Sequence, residues 1–96
     1  MLLELGSETC VPCRQMKPIL AALREEYEGR IIVQTVDVYE YPDWTERYGI
    51  HLIPTQIFFD AEGKELFRHV GFFSRSQILA KFKEFGWIKE EEPEGR

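Results

Sequence analysis

The chain has little of several things at once. Its 96 residues include two cysteines and two histidines. Apolar runs such as Ile31 to Val33 and Ile57 to Phe59 are strand-sized, and every run is far below the roughly 20 residues that a membrane helix needs. Basic residues are outnumbered, 12 Lys and Arg against 17 Asp and Glu, for a formal charge of -5, and they are scattered. Attraction to a phosphate backbone or an anionic lipid surface is therefore not indicated, and nucleic acid is not an expected partner. Two cysteines are too few for the disulfide framework of a secreted mini-protein. The histidines, His51 and His69, stand in no finger-like spacing with them, so no metal is expected, and neither histidine is assigned a catalytic role. The start, "MLLELGSE", carries an acid and lacks the basic beginning, apolar stretch and cleavage site of a secretory signal. The expectation is a cytoplasmic protein; a chain from which a signal or anchor had been removed would begin in the same way and would be extracytoplasmic.

What is present suits one domain. The 44% hydrophobic and 14% aromatic content fits a single core at this length. The expected domain is residues 1–88, and the tail "KEEEPEGR", residues 89–96, is acidic, without apolar period, and expected to be disordered.

The apolar patterns predict the order β-α-β-α-β-β-α. "LLEL", residues 2–5, reads as a buried strand entering a turn at Gly6 and Ser7. Apolar residues at 16, 19, 20, 23 and 27 mark one helical face, with Gly29 as the expected left-handed cap. "RIIVQTVDV" reads as a parallel strand, near-continuously apolar at its start, as for a strand covered on both faces. "YEYPDWTERYGI" predicts a short helix ended by Gly49. The run "TQIFFDAEGKELFRHVG" is a hairpin with Gly63 in its loop. "SRSQILAKFKEFG" carries Ser74 and Gln77 in capping-box spacing and closes at Gly86.

This order places Cys10 where a strand passes into a helix, and free backbone N–H groups there favour a negative charge. Cys10 and Cys13 fall on one face of the first turn, at a spacing that suits a disulfide able to close and reopen. The thiolate of Cys10 gains most from the helix terminus, which makes Cys10 the expected nucleophile. Cys13, one turn deeper, is the expected resolving thiol. Pro12 is tolerated in the first turn and stiffens it, whereas Pro18 lies inside the helical pattern and is expected to kink it. Two other readings stand beside the redox pair: half of a metal site, and two inert buried thiols.

With "CVPCRQMKPIL", "GIHLIPTQIFF" and "VGFFSRSQI" in this order, residues 2–86 resemble the thioredoxin superfamily. The resemblance implies an α/β thioredoxin-like fold, a four-stranded mixed sheet flanked by helices. It also implies a thiol-disulfide oxidoreductase that needs no cofactor beyond an electron donor. The place of Pro54 is that of the family's cis proline, beside which the backbone of Ile53 pairs with an extended substrate; without the resemblance a trans proline would be expected. Gly71 matches a family glycine that leaves room for the partner, or else it ends the hairpin strand. By alternation Phe72 and Phe73 read as core residues; because they follow Gly71 in a loop, one of them, with Phe72 the candidate, is instead expected to line the substrate groove. Glu4 stands at the place of a buried acid that helps to move the proton of the resolving thiol, with Thr35 where the family has a lysine. The alternative is a strand register that leaves Glu4 in solvent.

Three departures are visible: Thr9 replaces the usual tryptophan, Val11-Pro12 replaces Gly-Pro, and the family's first strand and helix are missing. The last leaves Ile31 to Val38 as a sheet edge, a pairing surface for a second copy, although a monomer is expected. The expected function is reduction of protein disulfides, with electrons from a reductase or a membrane thiol relay. The alternative is a non-catalytic thioredoxin-fold interaction module with a structural disulfide.

Overall fold

Two short, buried and mainly apolar segments, one carrying Glu4 and the other Thr55 and Gln56, lie side by side at the centre of the protein. The first, Leu2–Gly6, is β1; the second, Thr55–Phe59, is β3. The computed structural model describes residues 1–89. The expected tail, apart from Lys89, lies outside the described residues.

From β1 the chain enters α1, Val11–Glu26, and returns through β2, Val33–Asp37. The short helix α2, Asp43–Tyr48, precedes β3; β4, Glu65–Val70, and α3, Arg75–Glu84, complete the order read from the sequence. The sheet runs β2-β1-β3-β4. β2 is parallel to β1, as the crossover through α1 demands, and the pairs β1–β3 and β3–β4 are antiparallel. The α/β thioredoxin-like architecture with a four-stranded mixed sheet is thus present.

Side chains alternate across the sheet, so the two faces collect different residues. On one face Leu2, Val33 and Phe58 join Met16, Leu20 and Leu23 of α1 and Ile78, Leu79 and Phe82 of α3. On the other, Leu3, Leu5, Val36, Ile57 and Phe59 pack with Trp44 and Tyr48 of α2. Phe58 is fully buried and lies against Phe67, Phe73, Phe82, Phe85 and Trp87. Its truncation to alanine would cost about 3–5 kcal/mol.

Local signals explain most boundaries. Ser74 Oγ accepts the N–H of Gln77, and Gln77 Oε1 accepts the N–H of Ser74, a complete capping box at the start of α3. Gly49 caps α2 with φ 63°, and Gly63 turns the hairpin with φ 85°. Two expectations need correction. α1 is capped by Tyr27, not by Gly29, whose positive φ serves the turn that follows. β2 starts at Val33, two residues into the apolar run; Ile32 is exposed, as are Gln34 and Thr35. Among the described residues β2 has no strand neighbour on its outer side, so it is a sheet edge, as the missing first strand and helix imply; its faces still bury Val33 on the α1 side and Val36 on the α2 side.

Candidate active site

Cys10 is the N-cap of α1. Its backbone is extended, and its Sγ accepts the N–H of Cys13 at 3.3 Å. A sulfur therefore occupies the position where serine or aspartate commonly satisfies a free helix donor. The two cysteines form a disulfide, with Cα atoms 5.1 Å apart. Pro12, at the second helical position, has no N–H to leave unsatisfied there. Pro18 lies within α1, which continues through it to Glu26.

The two sulfurs have different surroundings. Cys10 is half-buried, and its Sγ lies 3.9 Å from the carbonyl oxygen of Ile53. The Ile53–Pro54 peptide bond is cis. Pro54 is buried, and its carbonyl accepts the N–H of Gly71 at 2.7 Å, which joins the proline loop to the end of β4. Gly71 has φ 99°, a conformation that favours glycine, and a Cβ there would meet nothing within 4 Å. Backbone conformation, rather than room inside the chain, requires this glycine. Phe72 is 44% exposed, while Phe73 beside it is buried in the core.

Cys13 is 6% exposed and sits against the sheet. A Cβ on Gly6 would come within 2.9 Å of Cys13 Sγ and 3.6 Å of Glu4 Oε2, so the missing side chain makes room for the sulfur. A cavity of about 100 Å³, open on one side, is lined by Glu4, Gly6, Cys13, Lys17, Thr35 and Asp37. Glu4 itself is 4% exposed. Burial pushes its carboxyl up to about 7, and a hydrogen bond from Gln56 opposes this shift. The register thus turns Glu4 inward, and the solvent alternative is excluded. Thr35 is its partner on β2 and supplies no charge. Lys17, at the cavity wall, is held by Glu8 at 2.8 Å on the surface.

Gln56 went unread in the sequence, where "TQIFF" passes for an apolar run. It is fully buried, and its Nε2 donates to Glu4 Oε1 at 2.9 Å and to the Gly71 carbonyl at 3.0 Å. The available signal was a polar residue in each of two apolar strands, "LLEL" and "TQIFF", since such residues need each other once buried. The structure brings Cys10, Cys13, Pro12, Ile53, Pro54 and Gly71 to one end of the sheet, with Glu4 beneath Cys13. His51 is exposed and takes no part.

This arrangement has known counterparts. Residues 1–84 match the family model described as Thioredoxin. The chain is 31% identical over 84 residues to a thioredoxin of Chlorobaculum thiosulfatiphilum, covering 88% of this chain and 77% of that one. It is 35% identical over 80 residues to a thioredoxin of Acidithiobacillus ferridurans, covering 83% and 73%. Among solved structures, a chloroplastic thioredoxin z superposes with a TM-score of 0.77 at 29% identity, over 88% of this chain and 76% of that chain. With a Cys-x-x-Cys pair capping α1 on this fold, the chain belongs to the thioredoxin family and is a thiol-disulfide oxidoreductase.

Proposed function

We propose that the protein reduces disulfides in other proteins, with Cys10 as nucleophile, Cys13 as resolving thiol and Glu4 as the group that takes up the proton of Cys13. The observation that carries this reading is the asymmetry of the pair: one sulfur capping a helix at the surface, the other buried beside a carboxyl group.

In the dithiol form, the N–H of Cys13 stabilises a thiolate on Cys10. That thiolate attacks one sulfur of the substrate disulfide. The substrate S–S bond breaks, its second sulfur leaves and takes a proton, and a mixed disulfide with Cys10 forms. Cys13 then loses its proton to the ionised Glu4 across the shared cavity and attacks Cys10 Sγ. The mixed disulfide breaks, the remaining substrate sulfur leaves as a thiol, and the protein keeps the Cys10–Cys13 disulfide. Two electrons have passed to the substrate. A dithiol donor, either a reductase or a membrane thiol relay, returns the pair to the reduced state. The Ile53 carbonyl faces Cys10, so an extended substrate segment pairs with that backbone, while Pro54, Gly71 and the exposed ring of Phe72 line its path.

The test is equilibration of the pair against glutathione, with turnover on a model protein disulfide. Cys13→Ser is expected to hold the mixed disulfide and so capture the natural substrate. Turnover that survives Cys10→Ser would sink the reading.

A further inference from the structure

Four polar side chains lie in one transverse row on the sheet face beneath α1, one from each strand: Thr35, Glu4, Gln56 and His69. Pairing in register puts them side by side on that face. Three of the four are linked by hydrogen bonds. Gln56 Nε2 donates to Glu4 Oε1, and Gln56 Oε1 lies 2.9 Å from His69 Nδ1.

The direction of each bond can be deduced. The Gly71 carbonyl can only accept, and it is 3.0 Å from the same nitrogen of Gln56 that faces Glu4. This fixes the amide: its two N–H bonds point to Gly71 and Glu4, and its oxygen points to His69. His69 Nδ1 must then carry a proton. A neutral imidazole meets this with its Nδ1–H tautomer and a charged one meets it automatically, so the bond persists in both states. The ring is also held from the side, stacked on Phe73 with centroids 4.1 Å apart. We propose that His69 is a positioning residue, which through Gln56 holds one amide N–H on Glu4 and thereby sets how readily that carboxyl ionises beneath Cys13.

The physical basis is cooperativity. A donor on the amide oxygen polarises the amide and strengthens its N–H as a donor. That N–H favours the carboxylate against the burial that opposes it. Lys17 is the one cation among the described residues that line the cavity with Glu4. β2 presents Thr35 and Asp37, the β1–α1 loop presents Glu8, and α1 presents Cys13 and Lys17, the last engaged by Glu8. The effect on turnover rests on Glu4 acting as the proton acceptor of Cys13; the effect on Glu4 itself does not.

The experiment follows the Glu4 carboxyl carbon by NMR across pH in the full chain, alongside turnover. His69→Phe keeps the stacked ring and removes the donor. The Glu4 midpoint is expected to rise by about 0.5 pH unit, a roughly threefold fall in its ionised-to-protonated ratio. His69→Asn, which restores an N–H near Nδ1, should return it towards the unsubstituted value. A midpoint unmoved in folded His69→Phe would overturn the proposal. In the unsubstituted protein, ¹⁵N spectra above the His69 titration must show the proton on Nδ1; a proton on Nε2 would overturn it without any variant. If the Glu4 midpoint moves and the turnover profile does not, the positioning role stands and proton transfer through Glu4 falls.

Discussion

Cys10 and Cys13 are bonded to each other and one helical turn apart, yet their surroundings differ in every respect that matters to a thiol. Cys10 meets a backbone N–H, the Ile53 carbonyl and solvent. Cys13 meets a glycine, a buried carboxyl and the wall of a small cavity. A helix terminus stabilises a thiolate without any neighbouring cation, whereas a buried thiol needs a base at hand before it can attack. The motif is symmetric in sequence, and the fold makes its two ends unequal.

The sharpest way to break this comparison is to remove one sulfur at a time. Cys10→Ser should lower turnover by about three orders of magnitude or more, while Cys13→Ser should still react once with a substrate disulfide and stop there. Mass spectrometry of the trapped adduct distinguishes the two. Equal trapping by both variants would show that the sulfurs are interchangeable.

The next largest effect concerns Glu4. Its carboxyl is raised in the folded state, so the native protein binds more protons than the unfolded chain between pH 4.5 and about 7. Stability therefore falls as pH rises through that window, by up to about 3 kcal/mol. Glu4→Gln should remove this slope and give the more stable protein at pH 8, as read by urea denaturation at several pH values. The same variant should slow the resolving step and erase the rise in its rate near pH 7. A variant whose stability still declines between pH 5 and 7 would place the responsible group elsewhere.

Gly6→Ala presses directly on Cys13. Its Cβ would meet the sulfur at 2.9 Å and the Cys13 Cβ at 3.3 Å. Overpacking of this kind costs about 1–3 kcal/mol. The cost should be greater in the disulfide form, where Sγ has no freedom to rotate away, so equilibration with glutathione should shift towards the dithiol. An unchanged equilibrium would mean that the sheet, not the sulfur, gives way.

The smallest effect is expected at Gly71, on the Cys10 side. Alanine would meet no atom there, but φ 99° disfavours a side chain, for about 1–2 kcal/mol. Thermal denaturation should register this loss.

Much of this was legible in the sequence, because strong local signals agreed with the global arrangement. The capping box at Ser74, the glycines at 49 and 63 and the apolar spacing along α1 each give one element, and the crossover rule orders the first three. The spacing of the cysteines and their place at the start of α1 pointed to a redox pair but left a metal site and inert thiols open beside it. Less legible was whatever depends on lateral register. Glu4 in "LLEL" reads equally well as inward or outward until β1 is paired, and Gln56 looks incidental until Glu4 is seen opposite it. His69 was read as a lone histidine because its partner lies 13 residues away, on the adjacent strand. The apolar run at Ile31 predicts a strand from its first residue, yet β2 begins only at Val33, where pairing with Leu2 starts, and the run's own residues do not encode that register.

The row from Glu4 to His69 has a consequence for how the sheet assembles. Side chains in a strand change face with each residue, so slipping β3 by one position against β1 would carry Gln56 to the α2 face and leave Glu4 buried without its donor. An unpaired buried carboxyl is far more costly than a mismatched pair of leucines. Most of the sheet is aliphatic or aromatic and tolerates exchange of one such residue for another. These few polar atoms act as an alignment key, so the row that surrounds the buried carboxyl in the finished protein also rejects misaligned pairings while it folds.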